Sequence, residues 1–328
     1  MPSEIETIAY YGDTPWHGLG TPVDHIMTAA EAISEAGLDW EVEVVNIFQN
    51  WKGNRIMIEN KAAIRRNTDG HVLGVLTPHY KPVQNREAFK FFDDVVGTGE
   101  AKYHTAGSLR MGQKIWMLAK IKDSMSVKGD EVEKYLLLMN GHDGTVALKM
   151  FFTPVRVVCM NTLTAAEAGA NRVETFYAKH TGNISGRMER AKEILGLSNR
   201  FFGRFLEDAN RLAQLQLSPA EFPKLLAAAF GTTGAVRPED VVTLNDLGSA
   251  RRESEMEKVQ ALFEGAGKGL DTPAIRGTKW AAYNSITEYI DHCKKFRGKL
   301  PQDNRLEYVW LGNGNRIKGR AWAYLQKI

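Results

Sequence analysis

Residues 134–163, KYLLLMNGHDGTVALKMFFTPVRVVCMNTL, constrain what this chain can fold into more than any other stretch. Residues 135–139 are a short, nearly unbroken apolar run, the pattern of a buried strand. Asn140, Gly141, His142, Asp143 and Gly144 supply turn chemistry, because glycine takes positive φ freely and Asn and Asp tolerate it. Residues 146–153 read as the returning strand, with Val146, Phe151, Phe152 and Thr153 suited to a pleated surface. Pro154 has no N–H to donate and is expected to stop the ladder. A hairpin leading into a helix is the predicted centre of the fold.

The 328 residues suffice for one large domain or two of ordinary size. With 43% hydrophobic and 25% charged residues, the profile is that of a globular chain rather than a disordered one. No apolar run approaches the roughly 18 residues needed to span a bilayer, and residues 1–6 lack the basic-then-apolar order of a secretory leader. Cys159 and Cys293 lie far apart and read as free thiols, which points to the cytoplasm. A net charge of +3 and a pI near 8.7 are too mild to imply nucleic acid unaided. Distribution says more: beyond His292 the chain has nine Lys and Arg but only Asp303 and Glu307 as acids.

In chain order, Trp16 sits among Gly and Pro in a loop that either covers a site or packs as an arm. Thr28 and Glu31 form a capping box for a short helix that Gly37 ends. Residues 40–44 alternate apolar and acidic like a half-exposed strand, with further strands over 56–58, 62–65 and, after the Asn67–Gly70 turn, 71–76. Asn85 is expected to cap a helix that buries Ala88 and Phe91. Residues 102–108 and 113–121 read as a second hairpin, with Ile115 and Met117 on one face and Trp116 and Lys120 on the other.

The second half reads as helices. Thr164 with Glu167, and Ser218 with Glu221 after Pro219, mark helix starts. Apolar residues recur at helical spacing over 184–212, where Gly196 and Gly203 are expected to bend or divide the helix. Further helices are expected over 251–263 and 278–292, and a last one after Asn313. The predicted class is α+β: antiparallel hairpins packed on helices over residues 1–180, then a mainly helical region over 181–328 with the basic end.

Phosphate-cradling loops and a nucleophile elbow are absent from the sequence. No histidine or cysteine pair has metal-ligand spacing, so neither a metal nor a cofactor is expected, and no catalytic residue is assigned. His142 and Asp143 fit either a ligand site or a turn whose carboxylate serves the backbone. Asp291 and His292 fit either an acid–base pair or a cation at a helix C-terminus. Arg156, flanked by Val155 and Val157, calls for a carboxylate such as Asp143 or for a ligand phosphate. Nucleic-acid binding needs cations along the backbone and rings for stacking. The second hairpin offers Lys102, Tyr103, Arg110, Lys114, Trp116 and Lys120, and the C-terminus adds Arg316, Lys318 and Arg320.

Several blocks resemble the phage/plasmid-like family of domain of unknown function 932. They are residues 15–20 (PWHGLG), 80–85 (YKPVQN), 142–144 (HDG) with 153–163 (TPVRVVCMNTL), and Gly277-Thr278 with Asn284 and Asp291-His292. The resemblance spans essentially the whole chain and implies a setting among phages, prophages and plasmids of bacteria. The hairpins followed by a helix resemble the β-β-β-α core of phage single-strand annealing proteins, although fold does not fix function. The expectation is a non-enzymatic protein that binds single-stranded DNA for annealing or recombination and forms homo-oligomers without membrane association. An anti-defence protein that binds a host protein or a signalling nucleotide is the alternative, and hydrolysis through His142, Asp143 and Arg156 is a third reading.

Overall fold

In the computed structural model, which describes residues 8–11, 21–23, 27–89, 101–156, 161–162, 175–178, 185–231, 250–268, 272–298 and 301–328, the chain opens with β1 (Ile8–Tyr11) and β2 (Thr21–Val23). Helix α1 (Ala29–Glu35) begins at the expected capping box: Thr28 Oγ1 accepts from the Glu31 N–H at 3.3 Å, and the Glu31 carboxylate accepts from the Thr28 N–H at 2.7 Å. Strands β3 (Val42–Trp51), β4 (Asn54–Arg66) and β5 (Val72–Leu76) then form an antiparallel sheet in that order. A short helix, α2, covers 85–89. Its N-cap is Gln84, whose N–H donates to Glu87 at 3.0 Å, so Asn85 lies one residue inside the position expected for it.

The main antiparallel ladder follows: β6 (Ala101–Leu109), β7 (Lys114–Ile121), β8 (Met125–Val127), β9 (Asp130–Gly141) and β10 (Leu148–Arg156), with β11 (Asn161–Thr162) and β12 (Thr175–Ala178) on β10. Strand β10 runs through Pro154 rather than stopping at it. β12 pairs with residues 148–151 and β11 with residues 155–156, so Pro154 falls between partners, where no donor is required on that side. The predicted helix starting at Thr164 lies outside the described residues.

Helix α3 (Ser185–Gln214) is continuous through both glycines. It is followed by α4 (Glu221–Phe230), α5 (Ala250–Ala261), α6 (Lys279–Glu288), α7 (Pro301–Trp310) and α8 (Asn313–Leu325). The architecture is therefore α+β with a mainly helical C-terminal region. No helix among the described residues is long and apolar enough to cross a membrane.

The chain forms two units that interleave along the sequence. The first takes residues 1–122, 135–152 and 172–198, and the second residues 123–134, 153–171 and 199–328. In the first, residues 115–119 of β7 and 135–141 of β9 are buried without alternation, so both faces of the ladder are covered. In the second, every residue of α6 is buried. Trp280 packs edge-on to Phe205 and Trp322, and its Nε1–H donates to Asp130 at 2.8 Å. Trp280→Ala removes both packing and hydrogen bond and should destabilise by about 3–5 kcal/mol, read as a shifted midpoint in denaturant unfolding. A loss below about 1 kcal/mol would show that this ring cluster does not hold the unit together.

Candidate nucleic-acid interface

The ten residues singled out from sequence fall into different environments. Lys102 and Lys120 are direct cross-strand partners on β6 and β7, and both are exposed. Arg110 is half-buried in the turn between those strands at φ 55°. Tyr103 and Trp116 are core residues, at 6% and 0% exposure, so neither offers a ring face for stacking. Lys114 is buried too, with its Nζ 3.1 Å from Asp143 Oδ2. Asp143 therefore answers Lys114, where Arg156 was expected. Arg156 ends β10 in the second unit. On α8, Arg316 is exposed, but Lys318 is fully buried against Asp291. Arg320 donates from Nε and Nη2 to the Ala229 carbonyl at 2.8 and 2.6 Å, which ties α8 to α4. Tyr103, Lys114, Trp116, Lys318 and Arg320 are thus structural.

The turn at 140–145 is a closed polar lock. Asn85 donates through Nδ2 to the carbonyls of Leu38 and Trp40, leaving Oδ1 to accept from His142 Nε2 at 2.9 Å. That assigns the His142 ring proton to Nε2. Trp40 meets the same imidazole edge-on at 5.3 Å, and the Arg66 guanidinium lies 5.5 Å from the Trp40 ring. Asp143 Oδ1 accepts from the Thr145 N–H and hydroxyl, completing an Asx turn. Tyr80 donates to the Gly141 carbonyl at 3.1 Å, and Asn140 Nδ2 to the Val83 carbonyl at 3.1 Å. Burial pushes the Tyr80 phenol well above its usual range, with Asp143 adding to the shift. Gly74 lets β5 approach the turn, because a Cβ there would sit 2.9 Å from the Asp143 Cα. With His142 at 0% exposure, the arrangement holds a turn in place.

The exposed combination of rings and cations lies elsewhere, on the ribbon of β3 and β4. These strands pair from Val42 with Arg66 to Trp51 with Asn54. They close on Lys52 at φ 49° and Gly53 at φ 84°, the left-handed pair of a type I′ hairpin. Between the Asn46–Ala62 and Phe48–Met57 pairs, residues 58–61 of β4 oppose Ile47 alone. β5 accompanies β4 only from Ala62 to Arg65, and residues 48–57 are exposed throughout. Strand alternation puts Phe48, Asn50, Arg55 and Met57 on one face and Gln49, Trp51, Asn54 and Ile56 on the other. The Arg55 guanidinium lies 3.9 Å from the Phe48 ring centroid, and the Lys52 ammonium 5.6 Å from that of Trp51, which is 60% exposed. Sequence reading ends the first strand at Val44 and divides β4 into strands over 56–58 and 62–65, so the ribbon between Val44 and Ile56 goes unread. Its signal was the Lys52-Gly53 turn between flanking Trp51 and Asn54.

Fold and site together define a two-unit α+β protein with a locked turn and an exposed aromatic, cationic ribbon. Among the described residues no three His, Cys, Asp or Glu gather as a metal site. The chain belongs to the family described as Domain of unknown function (DUF932), whose model matches residues 72–310. That span contains the His142 turn and the Asp291–His292 pair, and the arm precedes it. No curated protein and no solved structure matches the chain.

In the second unit, α6 continues into a π-helical turn (Tyr289–Cys293), a local geometry frequent at functional sites. Asp291, on that turn, pairs with Lys318, and Arg305 Nη1 donates to the carbonyls of Asp291 and His292 at 2.8 and 3.2 Å. The cation at this helix end is therefore Arg305. Burial lowers the His292 imidazole from its ordinary 6.5, against the opposing pull of Asp291, and keeps it neutral at pH 7. The unfolded chain consequently binds this proton at a higher pH than the folded chain does. Stability from this group is complete above that pH and is lost as pH falls through the lowered folded value. Denaturant midpoints measured from about pH 7.5 down to about pH 5, across the ordinary imidazole range, should drop more steeply for the wild type than for His292→Gln. An equal acid-side loss in both proteins would exclude His292 as its source.

Proposed function

We propose that this chain binds nucleic acid, preferring single strands, and that the β3–β4 arm is its contact surface. The observation that carries the reading is the exposed tip, where Trp51 and Phe48 each lie beside a cation, Lys52 and Arg55. Within residues 46–61 the cations are Lys52, Arg55 and Lys61, and Glu59 is the single acid. Exposed rings give unpaired bases a stacking surface worth about 1–3 kcal/mol per base, and the cations meet phosphates whatever the sequence. Lys102 and Lys120, adjacent across β6 and β7, supply a further phosphate contact. The arm offers binding groups and no reactive one, so the activity that suits it is strand pairing, in annealing or recombination by a protein of a phage or plasmid in the bacterial cytoplasm.

Fluorescence anisotropy with a labelled single-stranded oligonucleotide, with duplex as competitor and across a salt series, tests this. Trp51→Ala should cost about 1–3 kcal/mol of binding. Lys52→Gln with Arg55→Gln should reduce the slope of log affinity against log salt by about 1.4, as expected for two lost single-strand phosphate contacts. Absence of binding at low salt would remove nucleic acid as the ligand and turn attention to a host protein.

A further inference from the structure

The arm has an edge as well as two faces. Strand β3 pairs on one side with β4 and on the other with no described strand. Hydrogen-bonding parity decides which backbone groups reach that side. Trp51 and Asn54 flank a two-residue turn and so exchange hydrogen bonds, which turns the N–H and C=O of Trp51, Gln49, Ile47, Val45 and Glu43 toward β4. Those of Val44, Asn46, Phe48 and Asn50 therefore point outward. The base of the strand obeys the same parity: the Val42 N–H donates to Gln84 Oε1 and the Val42 carbonyl accepts from Gln84 Nε2, each at 2.9 Å. The side-chain amide of Gln84 takes the place of a neighbouring peptide at Val42 and stops there, leaving residues 44–50 uncovered among the described residues.

Sheets ordinarily protect such an edge with proline, lysine or a bulge on the edge strand. Residues 44–51, VVNIFQNW, contain no proline, glycine or charge. Charges flank the segment instead, with Glu41 and Glu43 at the base, where Glu43 already meets Arg65 of β4 at 2.6 Å, and Lys52 and Arg55 at the tip. Parallel pairing of two such strands would set like charge beside like. Antiparallel pairing sets Glu41 of each strand near the basic tip of the other.

We propose that β3 pairs antiparallel with β3 of a second copy of this chain, about a twofold axis at Ile47. In this register Val44 lies opposite Asn50 of the second copy and Asn46 opposite Phe48, so every outward-facing residue meets another. Ile47 then faces its own counterpart. Two three-stranded sheets become one of six strands through an isologous contact. The ring-bearing faces stay open, so this dimer neither requires nor obstructs the nucleic-acid binding proposed above.

Sedimentation velocity of the nuclease-treated full chain tests the contact without any ligand. The wild type should run at twice the 36.7 kDa chain mass. Asn46→Pro deletes an outward N–H while sparing the β3–β4 ladder, because an edge strand accepts proline where its N–H faces away from the sheet. This variant should be a monomer with unchanged far-UV circular dichroism, and Asn46→Ala should remain a dimer. Ile47→Cys, in a chain that also carries Cys159→Ser and Cys293→Ser, should cross-link to its counterpart on mild oxidation, since the two positions face each other in a non-hydrogen-bonded pair. A wild type that is monomeric at its highest soluble concentration overturns the proposal, as does a folded Asn46→Pro dimer. Should Asn46→Pro misfold, absence of the Ile47→Cys cross-link overturns it independently.

Discussion

An ammonium group taken out of water must bring an anion with it, and each unit holds such a pair. Lys114 and Asp143 meet with side chains 5% and 11% exposed, and Lys318 and Asp291 with both at 0%. Removing one partner of a pair like this typically costs about 3–5 kcal/mol, because the remaining charge stays buried. The geometry that follows is specific. With Oδ2 held by Lys114 and Oδ1 by Thr145, Asp143 fixes the turn that carries His142 to Asn85 and Trp40. In the second unit Asp291 lies on the π-turn, which adds a residue to the helical ladder and re-aims the side chains beyond it.

Those pairs explain why cationic residues were poor guides to a binding surface. Lys114 and Asp143 are 29 positions apart in sequence, and nothing local tells a paired, buried lysine from a solvated one. Trp116 could have been placed correctly. Ile115, Trp116, Met117, Leu118 and Ala119 are five apolar residues in succession, the mark of a strand covered on both faces, where Trp116 has no free ring face for stacking.

Local chemistry was legible where the partner lies within one turn. The box of Thr28 and Glu31 forms as written, and at Ser218 the half that survives is the Glu221 carboxylate accepting the Ser218 N–H at 2.8 Å. Helix α7 was missed although Pro301 stands at its first position, the place a helix favours for proline. The continuity of α3 through Gly196 and Gly203 had no local signal, because one glycine costs only about 1 kcal/mol and packing elsewhere offsets it. The α+β class was legible because it rests on many such short-range signals at once, and the site was not, because it rests on pairings between distant residues.

The arm poses the opposite question, of what a sequence does with groups that the fold leaves unpaired. A two-stranded ribbon is marginal in water, and this one shows apolar side chains on both faces, Phe48 and Met57 on one and Trp51 and Ile56 on the other. Its edge and faces present different chemistry. The edge offers peptide groups in fixed register, which only another strand satisfies. The faces offer rings and cations, which suit a flexible polyanion. Pairing the edge about Ile47 sets Trp51 of one copy beside Glu43 of the other, so the two tips stand eight residues apart, about 27 Å at strand rise. Dimerisation would thus turn two isolated stacking tips into one elongated surface with a cationic end at either side. A single nucleic-acid strand could then engage both tips, and its affinity would depend on the span between them as well as on the strength of each contact.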